Sequence, residues 1–535
     1  MRFACKPNAL NAISARRSFH PEIPAARWAL YQFRYKPAPA IASATLNSRL
    51  SDSENPRTSH RPLVAVADVH RDYRLGAAVV PAIRGVSVAI GEREFVALQG
   101  PSGSGKTTLL NLLGLLDRPE DLTQEGLSIA LVEARSRIGG RIWTRHPRES
   151  PVPVELGPEF VHGPNELMFQ VAREAGLLIA RLPEVHAEIS ASAWRRSKDY
   201  WERFEKITRQ MRSSGRDRSV AEFLKSRRRM PGAQKKFLAS LVEGYDAAFL
   251  DRASERALST AGEPPSEPAD HAQFRVLSGY GAVAHWLWSR IDPRRLHARF
   301  SSPVRRILWK RGDVAVFTDS TRIRARRAVI TLPIGVLKTP SGAPGAVDLD
   351  PEPPGIRRAL ARLEMGKAVK LVLRFREPFW RESEDYERLQ SKGGQEIAFF
   401  HRADAAFPTW WSAAPAQVPM LTGWAGGPAA HVLEGLPPVL LLRRALETLE
   451  SLFGIPRRRL ERLLIAHHHH DWSADPFSRG AYSYVGVGGA TAPAALARPV
   501  ADTLFFAGEA TERDQSGTVP GAIASGRRAA RLITR

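Results

Sequence analysis

One cysteine, Cys5, stands in the 535 residues. It excludes an intramolecular disulfide and any metal site built from cysteines. Long apolar stretches are missing too: no run approaches the about 20 residues that a membrane-spanning helix needs. Acidic residues are scarce at the start, where Glu22 is the only one among the first 50 positions. An acid-poor stretch carrying Arg and Ser can be a transit peptide. No apolar signal-peptide core accompanies it, so residues 1–60 are expected to be a disordered basic extension, or sequence upstream of the natural start. A cytoplasmic location is the expectation.

The chain carries 78 Lys and Arg against 55 Asp and Glu, a formal charge of +23. Such a charge can steer anions or nucleic acid. The basic residues are spread along the whole chain, and neither a zinc-finger spacing nor an RNA-binding aromatic motif is present. An arginine-rich surface is therefore expected, with no nucleic-acid partner and no membrane segment. A hydrophobic fraction of 43% over this length suits a soluble protein of several domains. Oligomeric state is left open.

The segment "EFVALQGPSGSGKTTLLNLLGLL" reads as an apolar strand, a glycine loop and an apolar helix. Its loop, Gly100–Thr107, fits G-x-x-x-x-G-K-[ST] in full. Gly100, Gly103 and Gly105 let successive backbone N–H groups face phosphate oxygens. Lys106 adds a cation, Thr107 offers a hydroxyl to magnesium, and Thr108 continues into the helix, whose N-terminus favours an anion. With its flanks, Leu63–Pro119 resembles the start of an ABC-transporter ATPase of the lipoprotein-release or macrolide-export type. The resemblance implies ATP with magnesium at this loop and places Tyr73 on the adenine. The glutamine loop, signature loop, Asp-Glu strand end and switch histidine of that family do not follow. "LSGYG" at Leu277–Gly281 imitates the signature, and "VAVFTD" ends at Asp319 without the glutamate that would position water. ATP binding without hydrolysis is what this module implies.

From Glu120 the pattern changes. "GLSIALVEA" is an apolar strand ending in Glu133, and "RSRIGGRIWT" and "ELGPEFVHG" follow. In dinucleotide-binding folds an acid at such a strand end accepts hydrogen bonds from ribose hydroxyls. Together with "FRVLSGYGAVAHWL", "AVITLPIGVLK", "MGKAVKLVLRF", "DPFSRGAYSYV" and "FFAGEAT", this part resembles the flavin-dependent amine oxidases of the monoamine and polyamine oxidase family. The resemblance implies non-covalent FAD, because no cysteine lies near the C-terminal flavin segment to form a cysteinyl bond. It implies Glu133 on the adenosine ribose. It places Arg135, Gly139, Gly140 and Arg141 along the pyrophosphate and flavin, and Val304 on adenine through its backbone. Gly508 and Glu509 would approach the pyrophosphate and ribityl chain. Thr518 and Val519 lie in the helix start presented to the flavin ring. Lys370 matches a lysine that holds a water near flavin N5. Tyr482 matches an aromatic lining the amine site, and Thr518 stands where monoamine oxidases carry the facing aromatic. With His162, that points toward polyamine oxidases, while basic segments such as "KSRRRM" keep amino acids and monoamines open. Tyr484 and Trp472 are each readable as core or as cage. The run His467–His470 would point alternately to opposite faces of a strand and so could not converge on one ion.

The expected fold is α/β: a Rossmann-like FAD-binding domain with an α+β substrate domain, preceded by a truncated P-loop NTPase fragment. The segments are 1–60 (extension), 61–119 (ATPase fragment), 120–163 (FAD), 164–275 (helical cap), 276–340 (FAD), 341–485 (mainly substrate) and 486–535 (FAD). No G-x-G-x-x-G unit precedes Glu133, and Gly100 is further from it than the about 20 positions of the usual fingerprint. The chain reads as two truncated families joined near Pro119. The activity implied is oxidation of an amine by dioxygen, with hydrogen peroxide as product. A nucleotide-binding fragment, or an inactive fusion product, are the alternatives.

Overall fold

The computed structural model describes residues 64–75, 78–90, 122, 126–190, 193–197, 199–260, 271–391 and 396–534. The chain divides into two units, Met1–Leu116 and Asp117–Arg535. In the first, the strands Val64–Leu75 and Ala78–Ile90 form an antiparallel hairpin, from Val64 opposite Ile90 to Leu75 opposite Ala78. Tyr73 lies on the first strand, opposite Val80. The phosphate loop Gly100–Thr108 lies outside the described residues.

The second unit is organised around a seven-stranded sheet. Its order is Leu464–His469, Ala368–Phe375, Met420–Gly426, Thr409–Ser412, Phe399–His401, His186–Ile189 and Trp194–Ser197. Side chains alternate across a strand, and here the alternation divides two environments. Val369, Leu371, Leu373, Phe375, Phe400, Trp410, Leu421 and Ala187 face one side. They pack against Leu441, Ala445, Leu449 and Leu452 of the helix Pro438–Phe453. Those helix residues recur every three or four positions, so one stripe is buried. Burying each such side chain contributes about 1.5–3 kcal/mol. The other face presents Lys370, Trp424, Trp411, Thr409, Phe399, His401 and His186 to a cavity. The sheet's apolar core thus fixes which polar and aromatic groups reach the interior space.

Beside it, two short parallel pairs form the other wall. Ile129–Val132 runs alongside Leu296–Arg299, and Ala328–Ile330 alongside Leu504–Phe506. Each pair joins strands more than a hundred positions apart in the chain, as parallel pairing with long crossovers allows. The helix Val519–Thr534 follows the last of these strands.

The expected helical cap, 164–275, differs in part. The helices Tyr200–Thr208, Val220–Ser226 and Gly232–Gly244 bury Phe223, Leu238, Leu241 and Val242 in one cluster. Ser219 begins the second of them with a reciprocal capping box to Glu222. However, His186–Ile189 and Trp194–Ser197 complete the seven-stranded sheet, and Gln273–Val276 pairs with Val161–His162 and Ile179–Arg181. The aromatic and β-branched content of these short runs suits a half-buried sheet better than a helix. Among the described residues, no helix is long and apolar enough to cross a membrane.

Candidate active site

A cavity of about 840 Å³ lies in the second unit. That is toward the upper end of the ~300–1,000 Å³ typical of ligand sites. Both walls described above contribute to it.

On the dinucleotide wall, Glu133 directly follows the strand Ile129–Val132 and its Oε1 accepts from the Arg135 backbone N–H at 2.8 Å. The following turn passes through Gly139 at φ 93° and Gly140 at φ 57°, conformations natural to glycine. A Cβ at Gly139 would stand 2.9 Å from the Ile142 carbonyl oxygen. Val304, Gly508, Thr518 and Val519 border the same space. The glycine pair of "LSGYG" also has a local cause. Gly279 sits at φ 83°, and a Cβ there would meet Thr144 Cγ2 at 2.5 Å and Glu155 Oε1 at 2.8 Å. The close fit lets buried Glu155 accept from the Tyr280 N–H at 2.7 Å, at the start of the helix Tyr280–Ser289. Burial pushes the Glu155 carboxyl up to about 7, against the lowering effect of Lys370 and the hydrogen bonds from Tyr280 and Thr144.

The charged residues expected here are held by protein partners. Arg135 donates to Asp475 at 2.6 and 3.1 Å and to Ser478 Oγ at 2.7 Å. Burial raises the Asp475 carboxyl, but His470 and Arg135 outweigh it and hold it well below the usual range. Arg141 donates to Glu509 at 2.9 Å and to the Ala481 carbonyl at 2.7 Å. Glu509, 5% exposed, also accepts from Ser483 Oγ at 2.6 Å and the Gly517 N–H at 3.1 Å. Arg135, Arg141 and Glu509 therefore clamp the C-terminal segments to the wall. Thr518 donates to the Gln515 carbonyl at 2.8 Å and accepts from the Gly521 N–H at 3.1 Å. Its hydroxyl caps the last helix.

On the substrate wall, Lys370 Nζ lies 2.6 Å from Glu159 Oε2 and donates to the Gly157 carbonyl at 3.0 Å. Arg275 reaches the other Glu159 oxygen at 2.6 Å. Burial alone would raise the Glu159 carboxyl; the two cations outweigh it and hold it below its ordinary value. Tyr482 and Trp424 stand with near-parallel rings, 6.4 Å between centroids and 8° apart in plane. The Tyr482 hydroxyl donates to the Tyr245 carbonyl. Burial, then the nearby Asp246, Tyr245 and Glu509, push that hydroxyl well above its usual range. His162 exposes its ring to the cavity, hydrogen-bonds Gln273 Oε1 through Nδ1 at 2.6 Å and meets the Tyr245 ring edge-on at 5.2 Å. Enclosure by these walls pushes the imidazole down to about 4, against the opposing hydrogen bond. Trp472 is 5% exposed and donates to the Leu156 carbonyl at 2.7 Å, while Tyr484 accepts from the Phe249 N–H at 3.4 Å. Both pack and both border the cavity.

Sequence reasoning passed over Glu159, Arg275, Asp246, Trp424 and the His186–His401 pair. Glu159 and Arg275 lay inside quoted motifs, "ELGPEFVHG" and "FRVLSGYGAVAHWL"; an acid two positions before the aromatic-lined strand was the available signal for the first. The histidine run finds separate partners: His468 with Glu149 at 3.3 Å, His469 with the Lys370 carbonyl at 2.9 Å, and His470 with Asp475 at 2.8 Å.

An acid-ended strand and a helix start thus share one cavity with a lysine and paired aromatic rings. The family model for flavin-containing amine oxidoreductases matches residues 120–534. The chain belongs to that family. Among curated relatives, a lysine-specific histone demethylase 1 homolog 1 of Oryza sativa subsp. japonica is 27% identical over 443 residues, which is 77% of this chain and 50% of that protein. The chain therefore spans about half the length of that relative. A putrescine oxidase structure, solved with putrescine, superposes with a TM-score of 0.63 at 18% identity, covering 77% of this chain and 95% of that one. That likeness shows an amine-oxidoreductase fold of α/β type. A lipoprotein-releasing system ATP-binding protein LolD of Anaeromyxobacter dehalogenans is 48% identical over 84 residues, 15% of this chain and 35% of that protein.

The fit of FAD to this member of the family can be judged from its own residues. Glu133 bordering the cavity suits ribose hydroxyls. The Thr518–Val519 helix start suits the electron-accepting end of an isoalloxazine. The glycine turn at Gly139–Gly140 leaves room for close approach of a ligand. These groups fit the cofactor.

Proposed function

We propose that the chain oxidises an amine with FAD and dioxygen, releasing an imine and hydrogen peroxide, and that its amine is a linear di- or polyamine. When bound, FAD supplies the two-electron acceptor for the amine and passes the electrons to dioxygen. The protein's own residues bind and orient. Glu133 would accept from the ribose hydroxyls, and Val519 with the capped helix start would favour negative charge near the ring. Gly139, Gly140, Arg141, Val304 and Gly508 would complete the cofactor wall. Tyr482 and Trp424 would hold the amine between their faces, where the aromatic rings attract an ammonium on arrival. Lys370, anchored by Glu159, would stand as a fixed cation and donor toward the reacting end. His162 stays neutral at physiological pH and so does not repel an ammonium.

The observation that carries the diamine reading is Asp246. Its carboxyl group belongs to a residue bordering the cavity beside the aromatic rings of Tyr245 and Tyr482. Burial pushes it up to about 7. A second ammonium would restore its charge. Peroxide release from putrescine, 1,8-diaminooctane, octylamine and amino acids tests this reading: diamines should turn over fastest. Equal rates for octylamine, or turnover of amino acids alone, would refute it.

A separate reading concerns the first unit, where Tyr73 and Lys106–Thr108 would hold ATP with magnesium and without hydrolysis. The 84-residue likeness to an ATP-binding protein supports it. Titration with a fluorescent ATP analogue checks it.

A further inference from the structure

His162 ends the short strand Val161–His162, directly opposite Gln273 on the strand Gln273–Val276. Residues paired across two strands share a face of the sheet. Val161 and Phe274, the next pair in the register, lie on the other face, in one apolar cluster with Met168 and Val171. His162 and Gln273 turn instead toward the cavity, which both border. Backbone bonds hold the pair in place. The Gly163 N–H donates to the Ala272 carbonyl at 2.9 Å, and the Leu182 N–H to the Gln273 carbonyl at 2.8 Å.

Gln273 is 6% exposed, and its amide is oriented at both ends. Nε2 donates to the His271 carbonyl at 3.3 Å, and Oε1 lies 2.6 Å from His162 Nδ1. An amide oxygen has no hydrogen to give, so Nδ1 carries the proton of that bond. A neutral imidazole holds a single N–H, which leaves His162 Nε2 as a lone pair. The ring is neutral at physiological pH, because burial pushes it down to about 4 against the opposing bond from Gln273. Unlike a ring sealed in the core, His162 is an exposed residue on the cavity wall, and among the described residues its Nε2 has no hydrogen-bond partner. Tyr245 links this ring to the substrate aromatics. Its own ring meets His162 edge-on at 5.2 Å between centroids, and its carbonyl accepts from the Tyr482 hydroxyl.

We propose that Gln273 is a positioning residue that locks His162 in the Nδ1–H tautomer, so that the cavity offers its ligand an acceptor and not a donor. An amine or ammonium brings N–H groups to Nε2. A carboxylate brings only lone pairs, so the lock also disfavours amino acids at this wall. Without Gln273 the ring would exchange between tautomers, and an amine would bind only the competent fraction. The proposal rests on the amine-oxidase reading above.

The test removes the lock and then restores it. In Gln273→Met, which keeps the length of the side chain without its amide, KM for 1,8-diaminooctane should rise about 3- to 10-fold, while kcat and flavin content stay within about 2-fold. Gln273→Glu supplies another acceptor to Nδ1–H. At about pH 9, where the imidazole stays uncharged even beside a carboxylate, this variant should recover most of the KM. A purely structural glutamine would give neither the split nor the rescue. Nitrogen NMR spectra of histidine-labelled protein read the proton directly, with His162→Phe assigning the signal. Nδ1 should be protonated in the unaltered chain, and the proton should be shared between both nitrogens in Gln273→Met. If Gln273→Met does not fold, the spectrum of the unaltered chain still decides. Calorimetric binding of 1,8-diaminooctane to flavin-free protein should weaken in Gln273→Met by the same factor as KM. A proton on Nε2 in the unaltered chain, or a Gln273→Met protein that binds and turns over the diamine unchanged, would overturn the proposal. A chain with the locked tautomer and the weakened variant binding that never takes up flavin would keep the proposal and overturn the oxidase reading alone.

Discussion

On the substrate side of the cavity, one seven-stranded sheet backed by a long helix presents Lys370, Trp411, Trp424 and His186 from neighbouring strands. On the dinucleotide side, four strands of three or four residues stand in two separate parallel pairs. The first wall is fixed by its own core: Leu371, Leu373 and Phe375 on the reverse face are at most 1% exposed. The second is less enclosed; Ile129–Val132 is partly exposed along its length. Its second pair is buried, with Leu504, Phe505 and Phe506 at most 2% exposed, and ion pairs that cross the chain, Arg135 to Asp475 and Arg141 to Glu509, add to it. The difference teaches where each wall draws its order. Apolar alternation orders the substrate wall, whereas long-range ion pairs add to the buried strand pair of the dinucleotide wall, which a bound cofactor would stabilise further.

That contrast can be broken by substitution. The largest effect belongs to Glu159→Ala, which strands Lys370 and Arg275 as buried cations. It should destabilise the second unit by about 3–5 kcal/mol, read as a lowered denaturation midpoint whether or not flavin is added. Glu133→Ala should leave the flavin-free midpoint nearly unchanged and weaken FAD binding by about 10-fold or more, through loss of charge-assisted hydrogen bonds. Calorimetric FAD titration checks this. If Glu133→Ala destabilises the flavin-free protein as strongly as Glu159→Ala does, the distinction between the walls fails.

Asp246 sharpens the comparison by pH. Its carboxyl, held up at about 7, ionises only as pH rises through that value. KM for 1,8-diaminooctane should therefore fall across that range, and Asp246→Asn should remove the step while octylamine shows none. The stability sign is opposite. The unfolded chain releases this proton near the ordinary carboxyl value, so the folded state loses stability as pH climbs from there through about 7. Asp246→Asn should remove its share of that decline in pH-dependent melting, leaving the share of Glu155, which burial also holds up at about 7. Tyr245 and Tyr482, the groups facing it, stay protonated throughout because burial raises both. The smallest effect is expected from Thr518→Val. It removes the cap of the last helix and should cost about 1 kcal/mol in melting experiments, with little change in amine preference.

Much of the dinucleotide wall was legible in the chain because its parts are local. An acid at a strand end, a double glycine at positive φ and a glycine before a helix are backbone demands that only certain residues meet. The substrate wall was less legible. Lys370 stood out through its motif, but its anchor Glu159 lies 211 positions earlier on another element, and neither residue marks the other. His186 and His401 are 215 positions apart and meet only because strand register sets Phe399 opposite His186. Asp246 follows the helix Gly232–Gly244 and carries no local pattern. The strands within 164–275 were read as helical because alternation over four residues is too short to outweigh the helices around them. Arg135 and Arg141 border the cavity by position, and the pairing of their guanidinium groups with Asp475 and Glu509, acids more than three hundred positions away, carries no local signal.

The central claim is that the dinucleotide wall, with no G-x-G-x-x-G unit before Glu133, still takes up FAD. The visible absorption spectrum of the purified full-length chain, recorded before any FAD is added, tests it most directly. The account predicts a flavin spectrum in near-stoichiometric amount that bleaches with 1,8-diaminooctane in the absence of oxygen. A folded, colourless protein that takes up no added FAD would contradict it.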